Sequence, residues 1–128
     1  MVDILAPISV GELIDKITIL RIKRERIRAA PALANVELDR LLDIRARASL
    51  DPAELAGLED ELFQVNGGLW DVEDELRALE QSRNFGKRFI ELARSVYRLN
   101  DRRSMLKRQI NTVTGSAVVE EKSYPAYE

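Results

Sequence analysis

One stretch, DPAELAGLEDELFQVNGGLWDVEDELRALEQ from Asp51 to Gln81, constrains the fold of this chain more than any other. Leu55, Leu58, Leu62, Val65, Leu69, Val72, Leu76 and Leu79 recur at spacings of three and four without a break. That row is the seam of a helix packed lengthwise against another helix. The start is marked by Asp51 as N-cap, Pro52 at the first helical position and Glu54 at the third. A partner row lies downstream: Phe89, Leu92, Val96, Leu99, Arg103, Leu106, Ile110 and Val113, in a helix expected from Phe85. Thr114-Gly115-Ser116 should end it, because glycine readily adopts the left-handed cap conformation.

Folded back antiparallel, the two rows align so that facing residue numbers total 164 or 165, as Val72 with Leu92 and Leu55 with Ile110 do. Any two such rows can be aligned somewhere. What makes this register informative is that Gln81-Ser82-Arg83-Asn84 then falls in a turn of about five residues, a normal helix-to-helix connection. Each rod is roughly 45 Å long at 1.5 Å per residue. Charge favours the same pairing. Residues 52–81 hold nine acids and one arginine, whereas residues 85–113 hold eight bases and two acids. Glu54, Glu59, Glu61, Glu73, Glu75 and Glu80 flank the acidic seam, facing Arg88, Arg102 and Lys107 beside the basic one. Such pairs select partner and orientation.

Upstream, residues 1–8 read as an extended lead-in broken by Pro7. Ser9 with Glu12 forms a capping box that opens a first helix, running to about Arg28. Its broad apolar face, Val10, Leu13, Ile14, Ile17, Leu20 and Ile27 with Ile19 and Ile22 beside it, implies two neighbours. Ala29-Ala30-Pro31 breaks it, and a second helix follows from about Ala32 to Ala48, with Leu33, Val36, Leu38, Leu41, Leu42 and Ile44 irregularly spaced. The expected fold is therefore a single all-α domain: an elongated antiparallel bundle of about four helices over residues 9–113, with a coiled-coil-like hairpin of the third and fourth. Residues 114–128 form a tail without helical period.

Composition sets limits on chemistry. The chain has 128 residues, a net charge of -2, no cysteine and no histidine, so disulfides, thiol catalysis and imidazole acid-base steps are excluded. No apolar run approaches the roughly 20 residues that span a bilayer, and the N-terminus lacks a signal peptide, so no membrane association and a cytoplasmic location are expected.

Four constellations are candidates for function. Arg24 and Arg103 stand in apolar rows and require carboxylate partners; the register puts Arg103 opposite Leu62, beside Glu59 and Glu61. They read either as register-fixing ion pairs or as anion-binding arginines. Asn66-Gly67-Gly68-Leu69-Trp70 places two costly glycines inside a helix, opposite Tyr97 and Asn100. Either the glycines admit helix 1 or a second subunit closely, with Trp70 as anchor, or Asn66, Trp70, Tyr97 and Asn100 line a mid-bundle pocket. Glu12 with Asp15 and Asp71 with Asp74 sit at helical spacing and could hold magnesium for a carboxylate-site hydrolase. Finally, Lys87, Arg94, Arg98 and Arg108 lie on the outward face of helix 4; they read either as a solvated face or, without aromatic interleaving to stack bases, as a weak, salt-sensitive nucleic-acid site.

Three resemblances bear on these candidates. The paired acids loosely resemble the metal-binding carboxylates of all-α nucleotide pyrophosphohydrolases. ELIDKITILRIKRERI resembles the first helix of chorismate mutase, but the arginine expected near its start is missing. More specifically, ISVGELIDKITILRIKRERI, LFQVNGGLWDVEDELR, FIELARSVYRLNDRRSMLKRQIN and GSAVVEEKSY resemble a bacterial family of small helical proteins known only as a domain of unknown function. This likeness spans Ile8 to Tyr124. It implies a bacterial source and a tail that belongs to the folded unit, and it carries no activity. The expectation is a non-enzymatic interaction or scaffold module, with a homo-oligomer, a dimer first, or another protein as partner, because helix 1 and Trp70 have apolar area to cover.

Overall fold

The structure, a computed structural model, describes residues 2–27, 31–50 and 52–120. Four helices follow in order: α1 Val10–Arg26, α2 Pro31–Arg47, α3 Pro52–Gln81 and α4 Lys87–Thr114. No strand occurs among the described residues. The all-α bundle and its long hairpin are as expected, and α3 with α4 forms the most extensive contact. Asp51, read as the N-cap of α3, and Arg28, Ala29 and Ala30, read as the end of helix 1 and the break after it, lie outside the described residues.

The hairpin closes through a turn whose geometry follows from its hydrogen bonds. Arg83 takes a positive φ of 55°, Arg83 N donates to Glu80 O at 3.0 Å and Asn84 N to Leu79 O at 2.8 Å. That pair of bonds is a Schellman ending built on an arginine in place of glycine. α4 begins at Lys87, two residues later than Phe85, because Asn84 Oδ1 accepts from Gly86 N and holds the chain in the turn. Gly115 ends α4 at φ 66° as anticipated, with Ser116 N donating to Asn111 O. Two cross-hairpin bonds fix the register: Arg88 to Glu75 and Arg102 to Glu61. Both pairs of numbers total 163, one residue from the seam alignment.

α1 packs against α2, α3 and α4, three neighbours instead of two. Leu13, Ile14, Ile17 and Leu20 join Leu38 of α2, Leu55 and Leu62 of α3, and Leu106 and Ile110 of α4 in one core. Ile22, expected at the side, is buried, while Ile27 lies beyond the helix and is exposed. Within α2, Leu33, Val36 and Ile44 stay exposed, which accounts for its irregular pattern: only the Leu38, Leu41 and Leu42 side meets the bundle.

The start of α1 shows how tightly the two ends of the chain are joined. Its first three amides, which no helical bond can satisfy, each find a side-chain acceptor. Val10 N donates to Ser116 Oγ at 3.0 Å, Gly11 N to Asn111 Oδ1 at 2.7 Å and Glu12 N to Ser9 Oγ at 3.0 Å. The Ser9 half of the capping box is therefore present. Its other half is not, because the Glu12 carboxylate accepts from Lys107 Nζ at 2.6 Å. Ser116, at the start of the tail, also donates to Val118 O, so this part of the tail belongs to the fold. Tyr124 and its neighbours from 121 onward lie outside the described residues.

Candidate functional site: a buried ion-pair network

Asp15 sits between Ile14 and Ile17 on the core face of α1, 1% exposed. A carboxylate there must be paired or it would destabilise the fold by several kcal/mol. Arg103 of α4 binds it with two parallel bonds, Nε to Oδ1 at 2.9 Å and Nη2 to Oδ2 at 2.5 Å. Asn66 of α3 donates from Nδ2 to the same Oδ1 at 2.9 Å and to Thr18 Oγ1 at 2.8 Å. Thr18 Oγ1 in turn donates to the Asp15 carbonyl at 2.7 Å, closing the ring. Burial is the largest influence on the Asp15 carboxyl and pushes it up. Hydrogen bonds from Arg103 and Asn66, with the charges of Arg103 and Lys107, outweigh burial and hold it below its ordinary value. The Asp15 bond raises Arg103 against the opposing effect of burial.

Two further links extend the network. Lys107 joins Glu12 and lies 3.8 Å from Glu120 of the tail. Glu59 of α3, also buried, accepts from Arg45 of α2 at 2.7 Å and from Arg21 of α1 at 3.4 Å. Every helix is thus tied to another by a charged pair. Chemically, the arrangement orients and locks. The Asp15 oxygens already accept from Arg103 and Asn66, and a carboxyl held below its normal range is a weak base.

Several expected partners differ. Arg103 pairs with Asp15, not with Glu59 or Glu61, because α1 lies over the hairpin groove and brings a carboxylate directly onto the seam. For the same reason Glu59 pairs with α1 and α2, and Lys107 with α1. Arg24 is exposed and has no ion pair among the described residues; it borders an open groove of about 460 Å³ between α1 and α3, with Arg21, Glu25, Glu59, Asp60 and Phe63.

The mid-bundle residues go separate ways. Asn66 is buried against α1 and Trp70 is half-buried, whereas Tyr97 and Asn100 are exposed on α4. Nor are Gly67 and Gly68 points of close approach: a methyl group would sit 3.7 Å from Arg26 Nη2 at the first and 3.8 Å from Leu99 at the second, ordinary contacts. The close approach is at Gly11, where a Cβ would lie 2.5 Å from the Lys107 carbonyl oxygen. A glycine in the first turn of an otherwise strong helix was the available signal for it.

Of the acids considered for magnesium, Glu12 faces Lys107, Asp15 faces Arg103, Asp71 pairs with Arg26, and Asp74 is exposed. No group of three or more acids suited to a metal converges among the described residues. No described helix is long and apolar enough to cross a membrane.

Fold and interior together define an all-α bundle in which a long helical hairpin is locked to a shorter helix by buried ion pairs. Residues 4–127 match DUF6165, a family of unknown function, and the chain belongs to that family. The motif resemblance over Ile8 to Tyr124 pointed to such a family. No curated protein and no solved structure matches the chain.

Proposed function

We propose that this protein is an interaction module that works by self-association. The observation that carries this reading is a contrast between inside and outside. The buried charges are paired with one another, while large apolar side chains stand in solvent along one side of α4: Ile90 at 56% exposure, Tyr97 at 62% and Met105 at 43%. Single exposed apolar residues are ordinary, but a row of them on one helix marks a surface that something covers. The support comes from α4 and not from helix 1, whose apolar face is covered by its three neighbours.

Molar mass measured by light scattering over a wide concentration range tests the reading. The expected result is a mass that rises to twice 14.6 kDa. A single-chain mass at every concentration would overturn it.

A second reading draws on Tyr97. It stands exposed in sequence between Arg94 and Arg98, so an aromatic does interrupt the basic face of α4, contrary to the expectation above. Binding of single-stranded nucleic acid there would weaken steeply with salt.

A further inference from the structure

We infer that a second copy of this chain docks antiparallel along the outward side of α4, with its two-fold axis at Tyr97. This rests on the self-association proposed above and assigns its surface. α4 carries two rows at four-three spacing. The inner one packs on α3; the other, Ile90, Arg94, Tyr97, Asp101, Ser104 and Arg108, lies on the opposite side and, apart from the half-buried Ser104, is exposed. A stripe of this spacing suits a second helix laid alongside it.

Chemistry selects both the partner and its direction. Reversed on itself about Tyr97, the row sets Arg94 against Asp101 of the second copy, and Asp101 against Arg94, once on each side of the axis. Ile90 then meets Ser104, with Met105 beside it, and the two tyrosines meet at the centre. A parallel pairing would instead set Arg94 on Arg94 and Asp101 on Asp101. Within their own chain neither Arg94 nor Asp101 has an ion pair among the described residues, so both are available. At the ends Lys87 would face Arg108; Glu91, 3.9 Å from Lys87, softens that repulsion. The acidic α3 of a second copy offers matching charge, but it has no large exposed apolar side chain among the described residues to meet Ile90, Tyr97 and Met105.

Charge reversal tests the assignment in the full-length chain. Arg94→Asp and Asp101→Arg should each weaken the dimer by about tenfold or more, because each creates two like-charge contacts across the axis. The double variant should restore wild-type association. All three should keep the wild-type helical circular dichroism, since both side chains are exposed. The chain has no cysteine, so Tyr97→Cys should give a disulfide-linked dimer under mild oxidation. If the wild type dimerises but neither reversal weakens it and the cysteine variant does not cross-link, this surface is wrong while self-association stands. If the wild type is monomeric throughout, both are overturned.

Discussion

The two halves of the α3–α4 hairpin carry the same repeating row of apolar residues, yet they are different environments. In the open half, Leu55, Leu62, Leu106 and Ile110 are buried, because α1 lies across them and, with Leu38 of α2, completes the core. Toward the turn, Val72, Leu76, Leu79 and Phe89 are only half-buried. α1 is 17 residues long and its last turn reaches Asp71 through Arg26, so beyond that point, among the described residues, no third helix covers the hairpin. Ion pairs differ as well. In the open half, Arg103 with Asp15 and Arg45 with Glu59 are largely shielded from solvent, while Arg102 with Glu61 on its flank and Arg88 with Glu75 at the tip lie on the surface. An identical pattern thus yields a core where a third helix is present and a zipper where it is not.

Removing Asp15 breaks this contrast most sharply. Asp15→Ala leaves Arg103 and Asn66 without their acceptor in a mostly buried setting, and should cost about 3–5 kcal/mol in urea unfolding. The same group gives the fold an acid dependence. Its folded value lies below the unfolded one, so its contribution is complete above the ordinary carboxylate value of about 3.9 and is lost as pH falls through the lowered value. Wild-type melting temperature should therefore drop more steeply below pH 4 than that of Asp15→Asn, which has already lost the charge.

Leu62→Ala and Leu76→Ala, at equivalent seam positions in the two halves, sharpen the comparison further. The first should cost about 3 kcal/mol, the second about 1, because only Leu62 is fully enclosed. Equal losses would mean that α1 does not set the difference. Arg88→Ala at the tip should leave the unfolding midpoint unchanged within error, even though its bond holds the Glu75 carboxyl below the usual range, since exposed pairs add little.

Local rules accounted for a definite share of this molecule. The three-four row of α3, its match in α4, the Ser9 cap and the Gly115 stop depend on residues within a few positions of one another, and each was legible. The Schellman turn at Arg83 was hidden, because an arginine at positive φ has no compositional mark. Asp15 was read as half of an acid pair on the strength of its neighbour Glu12; its role depends on Arg103, 88 residues away. Of the two readings of the Asn66–Trp70 stretch, the mid-bundle pocket fails at Tyr97 and Asn100, which are exposed on α4.

Sequence alone therefore determined that this chain forms helices, where the third begins and ends and where the fourth ends, and that these two pair within about one residue of the seam register, because periodicity and capping act over a few residues. Only the tertiary structure decided which charges meet and which half of the hairpin becomes a core. Those outcomes turn on where a 17-residue helix comes to rest across two longer ones, and the position of α1 is set by the close approach at Gly11 and the ion pairs of Glu12 and Asp15, contacts between residues about 90 to 100 positions apart.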